Sequence, residues 1–285
     1  RKFGVKILPL YDFTLIKSLA YISLSFAVFA IFNKLYTYLD SVLLQFFAGD
    51  AAVGLYQIAF KIMFAIQFLP AAFTASLYPA FSHYWTNNRS QLTITFERAM
   101  IYLIIISLPI AVGIATIADK LIIVFKDSFK DAVVPLEIAM ISLVFIFLNY
   151  PVGALLNACD KQKENTKFMG IVLVVNVILN LILIPRLGVS GACITVVITN
   201  ILMFVLGMSV VHKIIDYNKV KLLLVFLKSF FASLVMGSLV IYLKEGMNIF
   251  AVVILAVSVY FVLVLSMGAV KKQDFNSIIK SFKKV

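Results

Sequence analysis

The stretch "FNKLYTYLDSVLLQFF" (residues 32–47) decides how this chain is read. Apolar residues surround it for many positions on either side, yet it holds Lys34 and Asp40. A charge at the centre of a bilayer costs at least about 2.5–3.5 kcal/mol on insertion scales, so such a group faces a partner or a cavity. Two questions follow. Is this segment embedded in a membrane, and what do its charges do there?

The rest of the sequence answers the first. Hydrophobic residues make up 63% of the chain, charged residues 13%, and the mean hydropathy is +1.06. A soluble domain runs at roughly 45–50% apolar and about 25% charged. Apolar runs long enough to cross about 30 Å of hydrocarbon as helices recur along the whole chain. Transmembrane β-strands would alternate polar and apolar residues over about ten positions, and these segments do not. The fold class is therefore all-α, a polytopic transmembrane helix bundle. The net charge of +12 fits cationic loops holding one face to the cytoplasm, not nucleic-acid binding. Cys159 and Cys193 form neither a metal motif nor a disulfide framework.

Eight spans are read, at about 16–48, 51–84, 97–117, 131–158, 164–184, 188–213, 221–243 and 247–269. The first two are too long for a straight crossing and must tilt or bend. Pro70 and Pro79 mark where the second bends. An even number puts both ends on one side. The loops and ends of that side hold eighteen basic residues against five on the other, with Lys34 and Lys61 completing the 25. That side should be cytoplasmic. In "AGDAAVG", Asp50 is a candidate N-cap. In "IPRLGVSGA", Pro185 should stop one helix and Ser190 start the next. Leu121 to Phe125 should form a short interfacial helix. The chain opens on Arg1 without an initiator Met and without a signal peptide, so it is expected to be part of a longer protein.

The intramembrane polar residues define the candidate site. With a turn centred near residues 50 and 51, positions equidistant from it share a depth in the hairpin. Asp40 then lies level with Lys61, and Lys34 with Gln67. Asp40 and Lys61 are expected to pair across the hairpin. Lys34 is left with no acid to neutralise it and is the candidate contact for an anionic substrate, since an ammonium is a common point-charge ligand for phosphate. Tyr38 shares a face with Lys34, and Gln57 with Lys61. Asn176 and Asn180 share one face of the fifth span, and Asn149 and Asn200 lie in the fourth and sixth. Such amides are expected to bridge helices more often than to bind substrate. No P-loop, HExxH or Gly-rich dinucleotide turn is present. No catalytic residues and no metal site are assigned.

Three stretches carry a family resemblance. They are "LDSVLLQFFAGDAAVGLYQIAFKI" (39–62) followed by "LYPAFS" (77–82), "YPVGALLNACDKQKENTKFMG" (150–170) and "NVILNLILIPRLGVSGACITVVITN" (176–200). The chain resembles the C-terminal half of oligosaccharide flippases of the multidrug, oligosaccharidyl-lipid and polysaccharide exporter superfamily. The resemblance implies a cytoplasmic linker (1–15), the second six-helix bundle of a two-bundle transporter (16–213), two additional helices (214–270) and a basic cytoplasmic tail (271–285). It implies alternating access in the cell membrane, moving an isoprenoid pyrophosphate-linked oligosaccharide from the cytoplasmic to the outer leaflet for cell-surface polysaccharide synthesis. The expected partners are that cargo, membrane lipids and other polysaccharide assembly proteins, with no nucleic acid. A coupling ion, H+ or Na+, is the one small cofactor left open. The substrate-binding set is Lys34, Lys61, Asp40, Tyr38, Gln57 and Gln67. The rival readings are a cation-coupled multidrug exporter of the same superfamily and a membrane enzyme of polysaccharide assembly. The enzyme would need a sizeable outer loop, and none is long.

Overall fold

The computed structural model describes residues 12–125 and 127–268. Most of the linker expected over 1–15, and all of the tail over 271–285, lie outside the described residues. Within them the chain runs through α1 (Phe13–Ile66), α2 (Phe68–Asn87), α3 (Arg89–Thr116), α4 (Ala118–Phe125), a 3-10 turn (Asp127–Ala132), α5 (Val133–Ala158), α6 (Gln162–Ile214), α7 (Lys219–Leu243) and α8 (Ile249–Ser266).

Caps set several of the starts. The Asp12 carboxylate accepts from the backbone N–H groups of Thr14 (2.9 Å) and Leu15 (3.1 Å), so α1 begins three residues before the expected 16. Asn88 caps α3 through Gln91 N (3.0 Å) and starts it eight residues earlier than the hydropathy alone suggests. Asn218 and Asn248 do the same for α7 and α8.

Two of these helices are hairpins. A straight helix rises about 1.5 Å per residue, so residues sixteen apart would lie about 24 Å apart along its axis. In α1, however, Tyr56 bonds Asp40 at 2.8 Å and Gln57 bonds Ser41 at 2.8 Å. The chain folds back at Gly49, whose φ of 81° and ψ of 178° are open essentially only to glycine. In α6 the reversal is at Gly188 (φ 56°). Beyond it Gly191 lies so close to the first arm that a Cβ there would meet Leu183 O at 2.4 Å. Among the described residues six helical stretches are long and apolar enough to cross a membrane, and Phe13–Asn87 and Gln162–Ile214 each double back, which gives the eight crossings read from the sequence.

The structure moves several expected details. The sixth crossing starts from Gly188, and the helix passes through Pro185 instead of stopping there. Asp50 accepts a bond from the Gln45 amide (3.1 Å) and does not act as the cap. The long second arm breaks at Gln67, between α1 and α2. Pro70 explains this, because a proline ring clashes with the carbonyl four residues back, here that of Ile66.

α5 packs between α6 and α3, and the first hairpin packs on α6. α7 lies against α3, and α8 against α7, while Tyr260 of α8 reaches α3 and donates to Ile105 O (2.7 Å). Opposite ends of the bundle are fastened differently. At the Gly49 end Lys244 bonds Asp119 at 2.9 Å and Lys120 bonds Glu245 at 3.1 Å. Partial burial pushes the Asp119 carboxyl up, but hydrogen bonds from Lys244 and the Lys120 backbone, together with the charges of both lysines, outweigh it and hold the group below its ordinary range. At the other end Trp85 donates to Asp160 (3.1 Å) while the Arg89 guanidinium sits 3.1 Å over its ring.

The tight second hairpin is testable. Gly191→Ala should cost about 1–3 kcal/mol through overpacking, whereas Gly54→Ala, with nothing within 4 Å of a new Cβ, should be neutral or slightly stabilising. Thermal unfolding of the full-length protein in detergent compares them, and equal melting temperatures would contradict the close approach.

Candidate functional site

Asp40 is only 2% exposed, and its carboxyl is the centre of the site. Its Oδ2 accepts from Tyr56 OH (2.8 Å), and its Oδ1 accepts from Asn176 Nδ2 (3.0 Å) and Asn180 Nδ2 (2.6 Å). The spacing explains the convergence. Asn176 and Asn180 are four residues apart, about 40° around a helix, so both side chains leave one face of α6 one turn apart. They also bond each other (3.0 Å). One level away, Tyr36 lies four residues before Asp40 on the same face. The Thr199 hydroxyl already bonds back to Thr195 O (2.7 Å), so Tyr36 donates to Thr199 (2.8 Å) and accepts from Asn200 (3.1 Å). Asn149 Nδ2 then donates to Asn200 O (3.1 Å), which extends the network into α5.

The structure corrects the expected charge pair. No ion pair joins Asp40 to Lys61 among the described residues, and Lys61 is exposed. The hairpin turns at Gly49, earlier than the assumed centre, which brings Tyr56 opposite Asp40. Lys61 is five residues further on, about 140° round the helix from Tyr56. Lys34 is exposed on the first arm of α1, with its ammonium 5.8 Å from the ring of Tyr38, itself 59% exposed. Gln57 donates to Ser41. Of the six expected site residues, Asp40 and Gln67 line the main cavity, and Lys34, Lys61, Tyr38 and Gln57 do not.

That cavity holds about 790 Å³ between α1, α2, α5 and α6, within the usual range for ligand sites. Its polar wall is made of amides and hydroxyls, among them Asn33, Tyr36, Asn149, Tyr150, Asn157 and Asn200. Asp40 is the only carboxylate on it, and no Lys, Arg or His lines it among the described residues. Of these amides the sequence reading singled out Asn149 and Asn200, with no sign of whether they would bridge helices or line a cavity. No group of three or more His, Cys, Asp or Glu suited to a metal occurs among the described residues. In the Asp40 cluster the Oδ1 of Asn180 is buried without a hydrogen-bond partner.

A family model described as "Polysaccharide biosynthesis protein" matches residues 3–134. In Haloferax volcanii, the probable flippase AglR is 26% identical over 185 residues, covering 64% of this chain and 39% of that protein. The probable low-salt glycan biosynthesis flippase Agl15 of the same organism is 24% identical, over 56% of this chain and 34% of the relative. Over these stretches the chain is similar to proteins named as probable flippases. An uncharacterized membrane protein of Methanocaldococcus jannaschii, MJ1068, is 27% identical, over 64% of this chain and 36% of its own length. The matched stretches thus span well under half of each of these relatives. Among solved structures, the lipid II flippase MurJ in an inward closed conformation superposes with a TM-score of 0.70 at 18% identity, covering 93% of this chain and 57% of that one. An outward-facing MATE-family multidrug transporter superposes at 0.60 and 17% identity, covering 88% and 64%. These two likenesses establish the shared fold.

The Asp40 cluster makes a stability prediction. Tyr56→Phe removes one bond to the carboxyl and should cost about 1.5–3 kcal/mol, and Asp40→Ala, which strands three buried donors, should cost more. Thermal unfolding in detergent measures both. A smaller loss for Asp40→Ala would mean the cluster does not hold the two hairpins together.

Proposed function

We propose that this chain forms one half of a flippase that moves an isoprenoid pyrophosphate-linked oligosaccharide across the cell membrane by alternating access. The observation that carries the reading is the cavity: an amide- and hydroxyl-lined wall of about 790 Å³ on a fold shared with a lipid II flippase. Relatives named as probable flippases support it. In this reading the protein is a transporter and not an enzyme, both chain ends are cytoplasmic by the eighteen-to-five charge imbalance, and the cargo moves outward.

Asp40 is proposed to carry the coupling ion, H+ or Na+. A carboxyl held by three neutral donors, with no cationic partner among the described residues, is the natural place for a mobile cation. Lys34 keeps its proposed role as an anion contact, on the exposed face of α1 and not inside the cavity.

The second reading is a cation-coupled drug exporter, favoured by the MATE likeness and by Asp40 being the only charge on the cavity wall among the described residues. Asp40 argues against it. The carboxyl is 2% exposed and already engaged by three donors, so it offers little to a bulky organic cation.

The test uses full-length protein in proteoliposomes with a lipid-pyrophosphate oligosaccharide. Wild type should flip it and respond to an imposed proton or sodium gradient. Asp40→Asn should lose at least about tenfold of that response, about 1.4 kcal/mol of coupling. An undiminished response would remove Asp40 from the coupling step. Export of cationic dyes without glycolipid movement would decide for the drug exporter.

Lys34 has its own test in the same vesicles. Flipping lost in Lys34→Ala and kept in Lys34→Arg is expected. Flipping unchanged in both would discard the anion contact.

A further inference from the structure

The last turns of α2, residues 79–87, form a short strap beside one end of the cavity. The strap begins at Pro79, which has no N–H to give to Ala75 O, so one bond of the helix is missing there. It ends at Asn88, whose φ of −157° and ψ of 90° break the helix before α3. Between these points only Phe81 is buried. The strap is held by that one core side chain and by what its last turn touches.

That contact is the Trp85 clasp. The indole N–H donates to the Asp160 carboxylate (3.1 Å), and the Arg89 guanidinium stacks on the ring. Both ends of the bond sit just beyond the cavity wall. Trp85 follows Tyr78 by seven residues, about two turns, so the two side chains leave one face of α2. Asp160 follows Asn157 by three residues. Tyr78 and Asn157 line the cavity. The clasp therefore ties α2 to the α5–α6 turn at the end proposed to be cytoplasmic.

Asp160 is held in a conformation that does not suit it. Lys161 N bonds Leu156 O (2.8 Å), which closes the end of α5 and leaves Asp160 with a φ of 59°. Among the described residues it is the only non-glycine with positive φ. Glycine is favoured at this position, and most other residues are strained there. An observed outlier of this kind points to a role for the side chain, and the bond this side chain makes is the one from Trp85. We propose that the Trp85–Asp160 bond is a latch on the cavity. While it holds, the strap closes the proposed cytoplasmic end; when it breaks, the strap swings about Pro79 and opens that end. The latch takes its purpose from the flippase reading, but its test needs no cargo.

Two variants separate the latch from the backbone. Asp160→Gly removes the acceptor and relieves the strained backbone, so the fold is not put at risk. Asp160→Asn keeps an acceptor oxygen and tolerates positive φ. Each is made in full-length protein carrying Ala75→Cys on the cavity wall. Inverted membrane vesicles, whose outer face is the cytoplasmic one, are treated with a membrane-impermeant maleimide, and labelling is read at each cysteine by mass spectrometry. Labelling at position 75 should run about three- to tenfold faster in Asp160→Gly, the range that one net hydrogen bond is worth. It should stay at the parent rate in Asp160→Asn. Cys193 is fully buried and reports general loosening, so it should label equally slowly throughout. Position 75 unchanged in Asp160→Gly, raised equally in both variants, or raised together with Cys193 overturns the latch. Glycolipid movement is scored separately with the parent protein. Its absence overturns the flippase reading, while the labelling still decides the latch.

Discussion

A single buried carboxyl organises this helix bundle. Taking a carboxylate out of water costs several kcal/mol, and Asp40 is 2% exposed. Three hydrogen bonds to a charged group, at about 1.5–3 kcal/mol each, are of the same size. The residue is therefore tolerable only if all three donors arrive together. They come from the second arm of the first hairpin and from the first arm of the second. Satisfying Asp40 fixes the relative depth of three helical arms that are far apart in sequence, and the cavity lies beside that fixed point.

Both hairpins depend on a glycine with positive φ, and both turn toward the same end of the bundle. Shorter fastenings hold the ends. Ion pairs from the α7–α8 turn to α4 close the Gly49 end, and the Trp85 contacts close the other. The walls between are apolar on the outside and lined with amides around the cavity.

Much of the fold was legible in the sequence because length and hydropathy alone decide what crosses a bilayer. The eight crossings and the all-α class needed no contact information. The turn positions were less legible. A proline looks like the stronger breaker, yet Pro185 continues its helix and Gly188 ends it, because only glycine takes the backbone angles that a sharp reversal needs. The site was read least well, and for a definite reason. Charges stand out in an apolar sequence, so Lys34 and Lys61 drew attention. A displaced turn was enough to exchange Lys61 for Tyr56 as the neighbour of Asp40. Nor does an asparagine reveal which way it faces. All four bridge helices, but Asn149 and Asn200 also line the cavity while Asn176 and Asn180 do not, and the difference lies in helix rotations that no local pattern encodes.

The clasp at the far end has a spectroscopic consequence. Trp85 is the single tryptophan of the chain. Its indole is pinned between a guanidinium stacked at 3.1 Å and a carboxylate accepting from its N–H, where the end of α2, the start of α3 and the α5–α6 turn meet. An excited indole is sensitive to both neighbours. A change in the packing of these three elements that moves either neighbour from the ring alters the emission colour and lifetime of one native residue, without a dye or an engineered label.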